Sequence, residues 1–474
     1  MLQQQQQSSM LTILILTISV MIADYVEAMI LPAIPLIQKE FNTTATLTSW
    51  TTTILLIVGT ATVPLFGRLG DVHGKKKMFL AALGIYTLGV GVAAVAPSIY
   101  ILLFSRALQA VGLSLAPLAL AVIADVIPKE RQAYAQGLIG GSVAISTSAG
   151  YVLGSLVTQE SGWRFGFITV LIPSLAMLMI CAKFLESSNV TKREQVDYPG
   201  ALTLGLSTVF VLIYLSEGSS IGWLSIENLL ILASGLLVLA IFVIIERKTA
   251  SPLMNFKLLK VRNVMVSNLI RAFGGVLNFL FYYALIYFIE SPKPYGLGLD
   301  VLYTGLILAP ATVGVLLWAM LSGRILPKTG PKPMIYLGSL LFIAGFLLCI
   351  FNRGSIPALI FDGIVFFAGL VIVLLPSVNM ISVSLPSNQS GIGMSVNSML
   401  ATLGQSFGPV LATTIMVSYP VTKIVNGKTI TIAGIPSSFA FDLIFIAGIV
   451  VTCLIVTVNS FTQNYRFPSP SKTQ

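Results

Sequence analysis

The sequence predicts an all-α, polytopic membrane protein with fourteen transmembrane helices in a 6 + 2 + 6 arrangement. First, 56% of the 474 residues are hydrophobic and 9% are charged, whereas about a quarter of the residues in a soluble protein are charged. Second, fourteen apolar segments approach the length of about 20 residues that a helix needs to cross a bilayer. Third, one loop motif occurs in each half of the chain, which is typical of transporters built from two related halves.

The predicted spans follow one another along almost the whole chain, separated by short polar loops. They cover residues 10–34, 48–66, 78–97, 99–124, 134–158, 165–185, 200–216, 226–245, 264–289, 301–326, 334–351, 356–383, 392–419 and 438–460. The first residues of the chain are polar without basic side chains and lead into an apolar run that is long enough to cross. We therefore expect a retained first helix and no cleaved signal.

The distribution of basic residues predicts the orientation. With an even number of spans, both termini lie on one side, and nineteen of the 27 Lys and Arg residues fall in loops on that side, against six on the other. The nineteen include Lys192, Arg193, Arg466 and Lys472. Loops rich in Lys and Arg remain in the cytoplasm, so we expect both termini there, in a plasma membrane. The net charge of +10 then reflects topology, and no nucleic-acid partner is expected.

The repeated loop is the strongest sign of an internal duplication. Residues 67–77 read GRLGDVHGKKK and residues 323–333 read GRILPKTGPKP, so both keep G-R-[L/I]-x-x-x-x-G-x-K at an offset of 256. Similar offsets relate Gly112 to Gly369 and Gly150 to Gly408. The shared register predicts an N-terminal six-helix bundle (1–190), two inserted linker helices (191–260) and a C-terminal six-helix bundle (261–474).

Several motifs resemble those of the major facilitator superfamily, in particular its fourteen-helix drug:proton antiporter branch. The loop at 67–77 looks like the cytoplasmic loop between helices two and three of that family. The other matching stretches are RALQAVG at 106–112, WRFGF at 163–167 with Pro173, DYPG at 197–200, Gly222-Trp223, Glu246-Arg247-Lys248 and Pro252-Leu253. The last four are similar to the flanks of the two extra helices of the fourteen-helix branch.

The resemblance implies a major facilitator fold, alternating access and transport of small molecules. In that branch, acidic residues of helix one serve as proton or cationic-substrate sites. Two features depart from the pattern. Tyr151 stands where helix five usually has proline, and the GxxxGP stretch occurs instead at Gly404–Pro409; Asp24 and Pro32 are one residue closer than usual.

Ionisable residues inside predicted spans are the candidates for proton coupling. They are Glu27, Asp24, Arg106 and Asp362. Each costs about 2.5–3.5 kcal/mol to insert, so such residues are functional candidates by default. Alternatives remain for each: Asp24 and Glu27 as a satisfied polar pair, Arg106 as a structural hydrogen-bond donor, and Asp362 solvated at the outer interface. We expect Arg271, near the inner end of span nine, to snorkel to the interface.

The first loop is a candidate conformational latch. Its glycines, Gly67 and Gly74, permit a tight turn between helices. Asp71 can pair with an arginine or a helix N-terminus, while Lys75 and Lys76 hold the loop inside. Asp125, Glu130 and Arg131 follow span four and are candidates for the same charge network. The alternative is that the loop acts as a topology signal alone.

Two further sets complete the candidate sites. Tyr25, Glu27, Tyr282, Tyr283 and Trp318 are predicted to bind substrate, because aromatic faces attract flat lipophilic cations; the alternative for the aromatic residues is an interfacial belt. The second set comprises Gly150, Gly154, Gly404, Gly408 and Pro409, which are predicted to pack or gate helices, since small residues let helices approach closely.

The sequence lacks the motifs expected of an ATP-driven pump or a metalloenzyme. The sequence has no GxxxxGK[ST] loop for ATP and no HExxH metal motif. Its three cysteines lie in apolar runs without ligand spacing, and it has one histidine. We therefore expect no catalytic residue, metal or cofactor, and a monomer whose partners are a small-molecule substrate, protons and lipid. The favoured function is proton-coupled efflux of lipophilic or cationic compounds; proton-driven import of a metabolite and a non-transporting sensor remain alternatives.

Overall fold

The computed structural model describes residues 2–185, 197–249, 252–254, 256–425 and 428–465. Lys192, Arg193, Arg466 and Lys472, which contribute to the predicted orientation, lie outside these residues. The predicted boundary between residues 190 and 191 also lies outside them.

The described residues are almost entirely helical. The helices are α1 (Leu2–Ile30), α2 (Ile34–Glu40), α3 (Ala45–His73), α4 (Lys75–Ala94), α5 (Ile99–Gln109), α6 (Leu115–Val126), α7 (Lys129–Ser161), α8 (Trp163–Phe184), α9 (Tyr198–Ile221), α10 (Ile226–Lys248), α11 (Phe256–Leu259), α12 (Arg262–Glu290), α13 (Val301–Thr329), α14 (Pro331–Asn352), α15 (Ile356–Ser384), α16 (Ser387–Ser418) and α17 (Ser438–Ser460). A 3-10 turn, Ala110–Ser114, joins α5 to α6 within one span.

The prediction of fourteen membrane-spanning helices is confirmed, since fourteen described helical segments are long and apolar enough to cross a bilayer. Their ends differ from the predicted bounds. The first span ends at Ile30, because a turn at residues 31–33 precedes α2. The second continues to His73 and the seventh covers Tyr198–Ile221, because helices extend past their apolar part into polar loop residues.

A two-stranded hairpin lies outside the spans and is not predicted by the apolar pattern. Strands β1 (Pro420–Val425) and β2 (Lys428–Pro436) pair antiparallel, with Val421 opposite Ile432. The local sequence explains it, because both strands are rich in β-branched residues. Asn-Gly is also a favoured two-residue hairpin turn, although residues 426–427 themselves lie outside the described part.

The chain forms two compact units. The first comprises Met1–Val211, Leu230–Leu253 and Asp300–Ala309, and the second comprises Leu212–Leu229, Met254–Leu299 and Pro310–Gln474. Helices α9, α10 and α13 therefore each contribute to both units.

In the first unit, α1 packs along α7 through two of the predicted packing glycines. A methyl group on Gly150 would lie 2.6 Å from the Tyr25 carbonyl oxygen, and one on Gly154 would lie 2.7 Å from Met29 Cβ. These distances are too short for any side chain. The small residues thus bring the α1 and α7 backbones together.

The second unit repeats this arrangement with α12 and α16. A Cβ atom on Gly404 would clash with the Ala272 carbonyl group, and one on Gly408 would lie 2.7 Å from the Leu280 nitrogen. Pro409 follows inside α16. Because spans one and five and spans nine and thirteen pack in the same way, the internal duplication read from glycine spacing extends to tertiary packing.

The loop glycines at the same register also share a conformation. Gly74 ends α3 with φ of 95°, and Gly330 ends α13 with φ of 81°. Side chains other than hydrogen strongly disfavour this region. The repeated glycine is therefore required by the sharp turn between consecutive helices in both units.

Replacing Gly404 with alanine should destabilise the second unit, because the added methyl group overlaps the Ala272 carbonyl group. We expect a loss of about 1–3 kcal/mol, the range for overpacking a close-packed interior, measured as a lower melting temperature of purified protein in detergent. Gly205→Ala is the matched control, since no atom lies within 4 Å of the added Cβ. Equal melting temperatures for the two variants would contradict the packing role.

Candidate functional site

The candidate proton site is an acidic pair on α1 in the first unit. Asp24 and Glu27 are three residues apart, so their side chains share one face of the helix. Both are half-buried, and their carboxylates are close enough to repel one another. The Asp24 Oδ2 atom is buried and meets no hydrogen-bond donor among the described residues. The arrangement therefore differs from a polar pair whose hydrogen bonds are all satisfied.

Arg106 brings a positive charge to this pair. Its guanidinium group attracts the Glu27 carboxylate, and its side chain is fully buried. It also donates from Nε to the Thr51 carbonyl oxygen (3.0 Å) and from Nη1 to Gln109 Oε1 (2.6 Å). Arg106 therefore holds α5 against α3 as a structural hydrogen-bond donor, and its charge also acts on Glu27, while its part in proton coupling stays a prediction.

Tyr86 is a member of this cluster that the sequence does not reveal. It interacts electrostatically with Arg106, Asp24 and Glu27, and its hydroxyl group donates to the Ile22 carbonyl oxygen at 3.1 Å. A Cβ atom on Gly112 would lie 2.5 Å from its ring. The glycine of the helix-four motif therefore makes room for the ring, and this was the only signal that could have pointed to Tyr86.

Asp362 belongs to the second unit, on α15. Asp362 is fully buried. Neither of its carboxylate oxygens has a hydrogen-bond partner of ordinary geometry among the described residues. The Cys349 thiol of α14 is its polar neighbour. The alternative that Asp362 is solvated at an outer interface is wrong, because α15 begins at Ile356 and turns this side chain into the unit.

The loop predicted as a latch contains an ion pair. Lys75 Nζ lies 2.7 Å from Asp125 Oδ2 and 3.3 Å from the Ala121 carbonyl oxygen, which ties the start of α4 to the end of α6. Arg68 donates to the Pro252 carbonyl oxygen at 3.2 Å, a contact that sequence patterns do not show.

The other latch residues make fewer described contacts. No atom lies within 4 Å of a Cβ placed on Gly67, and Lys76 is half-buried. Asp71 is half-buried.

The predicted substrate-binding aromatic residues differ in exposure. Tyr25 and Trp318 are half-buried. Tyr282 is 6% exposed and packs against the Phe367 ring at a centroid distance of 5.2 Å. Tyr283 is fully buried and presents no surface to a ligand in this conformation.

The snorkelling expected of Arg271 stays a prediction, and the residue is half-buried. Its Nε atom is buried without an acceptor among the described residues, and the side chain lines an open pocket of the second unit. The sequence places it near the end of a span, but only the rotation of α12 shows that it lines this pocket.

The segment after α17 is a further element that the sequence did not identify. Asn464 Oδ1 accepts from the Lys332 nitrogen at 3.2 Å, and Lys332 Nζ donates to the Ser460 carbonyl oxygen at 2.7 Å. Asn263 exchanges two hydrogen bonds with the Gln463 backbone, at 3.0 and 2.9 Å. The segment therefore ties the second copy of the repeated loop to the start of α12.

Tyr465 completes this segment by donating to Asn379 Oδ1 at 2.8 Å. Burial raises the pKa of Tyr465 to about 12. The hydroxyl group therefore keeps its proton, and remains a donor, throughout the physiological pH range.

The chain belongs to the Major Facilitator Superfamily, whose sequence model matches residues 16–409. The predicted resemblance is thereby confirmed at the level of the family. Among solved structures, the peptide transporter POT in complex with sulfate is similar in fold, with a TM-score of 0.68 and 12% identity over 97% of this chain and 99% of that chain.

Curated relatives are transporters at low identity. Multidrug resistance protein 3 of Bacillus subtilis (strain 168) is 27% identical over 63% of this chain and 58% of its own length. Multidrug resistance protein Stp of Mycobacterium tuberculosis (strain CDC 1551 / Oshkosh) is 24% identical over 79% of this chain and 70% of its own length. The vacuolar membrane amino acid uptake transporter fnx2 of Schizosaccharomyces pombe (strain 972 / ATCC 24843) is 28% identical over 62% of this chain and 52% of its own length. The chain thus spans less than two thirds of the first of these relatives.

Removing one partner of the Lys75–Asp125 pair should weaken the loop. Lys75→Ala is expected to cost about 1 kcal/mol, the upper end for a partly exposed ion pair, read as a lower melting temperature in detergent. The charge-reversed double variant K75D/D125K should recover most of this loss.

Lys77→Ala is the control for that pair, because Lys77 is exposed. If the double variant melts no higher than Lys75→Ala, the pairing does not stabilise the loop.

Proposed function

We propose that this protein is a proton-coupled efflux transporter of small lipophilic compounds, cations included. The acidic pair of α1, held against a buried arginine inside a major facilitator chain, carries the proposal. Ionisable groups within spans mark proton or ion pathways, and two relatives are named multidrug resistance proteins.

The proposed coupling depends on two opposing influences on the carboxyl groups of Glu27 and Asp24. An apolar environment favours the protonated carboxyl group, whereas a nearby guanidinium group favours the carboxylate. Alternating access between two states would change the exposure of this pair to water. A proton taken up on one side is then released on the other, while substrate moves in the opposite direction. Asp362, buried in the second unit, is proposed as a further proton-coupling group.

The substrate contacts are proposed for the partly exposed aromatic residues. Tyr25 and Trp318 are half-buried, and Tyr282 has a small exposed part. Aromatic faces attract lipophilic cations, and Glu27 supplies a negative charge. Tyr283 remains a candidate only for a conformation in which its ring is uncovered.

The first loop is proposed to stabilise one conformational state as a latch. Its Lys75–Asp125 ion pair and the sharp turn at Gly74 support this role, since both fix the connection between α3, α4 and α6. We also propose that the protein acts as a monomer in the plasma membrane, with both termini in the cytoplasm.

The second candidate function is proton-driven import. It is favoured by one relative, which is named an amino acid uptake transporter, and by Tyr151 in place of the helix-five proline. Counterflow assays in proteoliposomes separate the two directions, because an importer accumulates labelled substrate when proton entry and substrate entry run in parallel.

Neutralising the acidic pair should uncouple transport from protons. In proteoliposomes with an imposed pH gradient, the double variant D24N/E27Q is expected to lose all stimulation of dye efflux by the gradient, because no carboxyl side chain remains on α1. Glu227→Gln is the matched control, since Glu227 is exposed at the start of α10. A double variant that pumps at the rate of the wild type would end the proposal.

The proposed orientation can be tested by cysteine labelling in intact cells. A cysteine at Leu224, which is exposed in the turn between α9 and α10, should react with a membrane-impermeant maleimide. A cysteine at the exposed Lys77 should react only after the cells are permeabilised. The opposite labelling pattern would show that the orientation is inverted. Labelling of the unsubstituted protein measures the background from its three cysteines.

A further inference from the structure

An open pocket of about 510 Å³, called the cavity below, lies in the second unit. Small-molecule sites are typically about 300–1,000 Å³ and mostly apolar. Residues of α12, α13 and α15 line the cavity. Its aliphatic wall includes Val315, Leu370, Leu374 and Leu375. The cavity therefore has the size and apolar character of a site for a small lipophilic molecule.

Arg271 is the one charged residue among those that line the cavity. Its Nε atom is buried and has no acceptor among the described residues. A positive charge within a membrane span is costly unless it is paired, and an unfilled donor of a charged group adds to that cost. The cavity thus presents a guanidinium group, which carries a positive charge and donors suited to an anion.

Asn379 adds a second donor to the same wall. Its Oδ1 atom accepts from the Tyr465 hydroxyl group at 2.8 Å, and Ser382 Oγ donates to its carbonyl oxygen at 2.9 Å. The Nδ2 amide of Asn379 is a donor that a ligand can use, while Oδ1 already accepts one hydrogen bond. The polar part of the cavity therefore offers donors and a positive charge.

We propose that this cavity binds amphiphilic organic anions, with a carboxylate against Arg271 and Asn379 and an apolar body along the leucine wall. The planar guanidinium group matches a carboxylate in a two-point arrangement. A lipophilic cation is disfavoured here, because its charge would lie beside that of Arg271 without a compensating carboxylate. The inference rests on the proposed efflux function in that it assigns one class of transported compound, lipophilic carboxylates, to this unit.

A fluorescence titration of the purified full-length protein in detergent tests the site. The probe is 11-(dansylamino)undecanoate, and its methyl ester has the same apolar body without the charge. Arg271→Gln should weaken binding of the carboxylate by about ten-fold or more, the scale of a lost hydrogen bond to a charged group, and should leave ester binding unchanged. Arg271→Lys should bind the carboxylate with intermediate affinity, because lysine keeps the positive charge but lacks the planar pair of donors that contacts both carboxylate oxygens.

Two control variants locate the effect. Arg324→Gln removes an exposed arginine of α13 and should bind the carboxylate like the wild type. Val315→Trp fills the cavity and should reduce binding of both probes, and it provides a second test if Arg271→Gln does not fold. Unchanged carboxylate binding by Arg271→Gln, an equal loss of both probes in that variant, or full binding by Val315→Trp would overturn the proposal.

A transport assay separates this inference from the proposed function. If Arg271→Gln still expels a cationic dye under a pH gradient but no longer expels the carboxylate probe, both proposals stand. If the wild type binds the carboxylate through Arg271 but moves no compound under a gradient, the efflux proposal fails while the site remains. If the wild type expels dye but neither binds nor expels the carboxylate, the anion site is wrong and efflux stands.

Discussion

Close approach of helix backbones at glycine is the constraint on which both compact units depend. Lipid tails are as apolar as leucine side chains, so burial of apolar surface does not drive helices together within a bilayer, and packing at small residues takes its place. Gly150 and Gly154 bring α7 against α1, and Gly404 and Gly408 bring α16 against α12. Each contact leaves no room for a methyl group. The positions of the acidic pair on α1 and of Arg271 on α12 follow from these two interfaces.

The two units share their packing but differ in how the repeated loop is held. In the first unit an ion pair between Lys75 and Asp125 secures it. In the second, Gly330 ends α13, and Lys332 secures the turn by donating hydrogen bonds to Asn464 after α17 and to Ser460 at the end of α17. The duplication therefore preserves the turn geometry, which needs glycine, while the stabilising contacts have diverged because any donor and acceptor of suitable position can supply them.

Charge is also distributed differently between the units. The first combines two carboxylates with Arg106, whereas the second contains a buried aspartate, Asp362, and an arginine that lines a cavity without an acceptor for its Nε atom. Buried charges are costly in an apolar medium, and their persistence calls for a partner or a ligand. In the functions proposed here, the acidic pair of the first unit binds protons, and Arg271 of the second unit binds an anion.

The sequence by itself determined the family, the number of spans and the internal duplication, because apolar length, glycine spacing and loop composition are local properties of the chain. It also identified the ionisable residues of the spans, since charge is rare there. Tertiary structure alone decided which side each residue faces: Tyr86 joins the acidic pair, Tyr283 is buried, and Arg271 turns into a cavity. These outcomes depend on the rotation and crossing of helices. A shift of one position along the sequence moves a side chain by about 100° around the helix axis. No pattern along a single chain determines how each helix is turned about that axis.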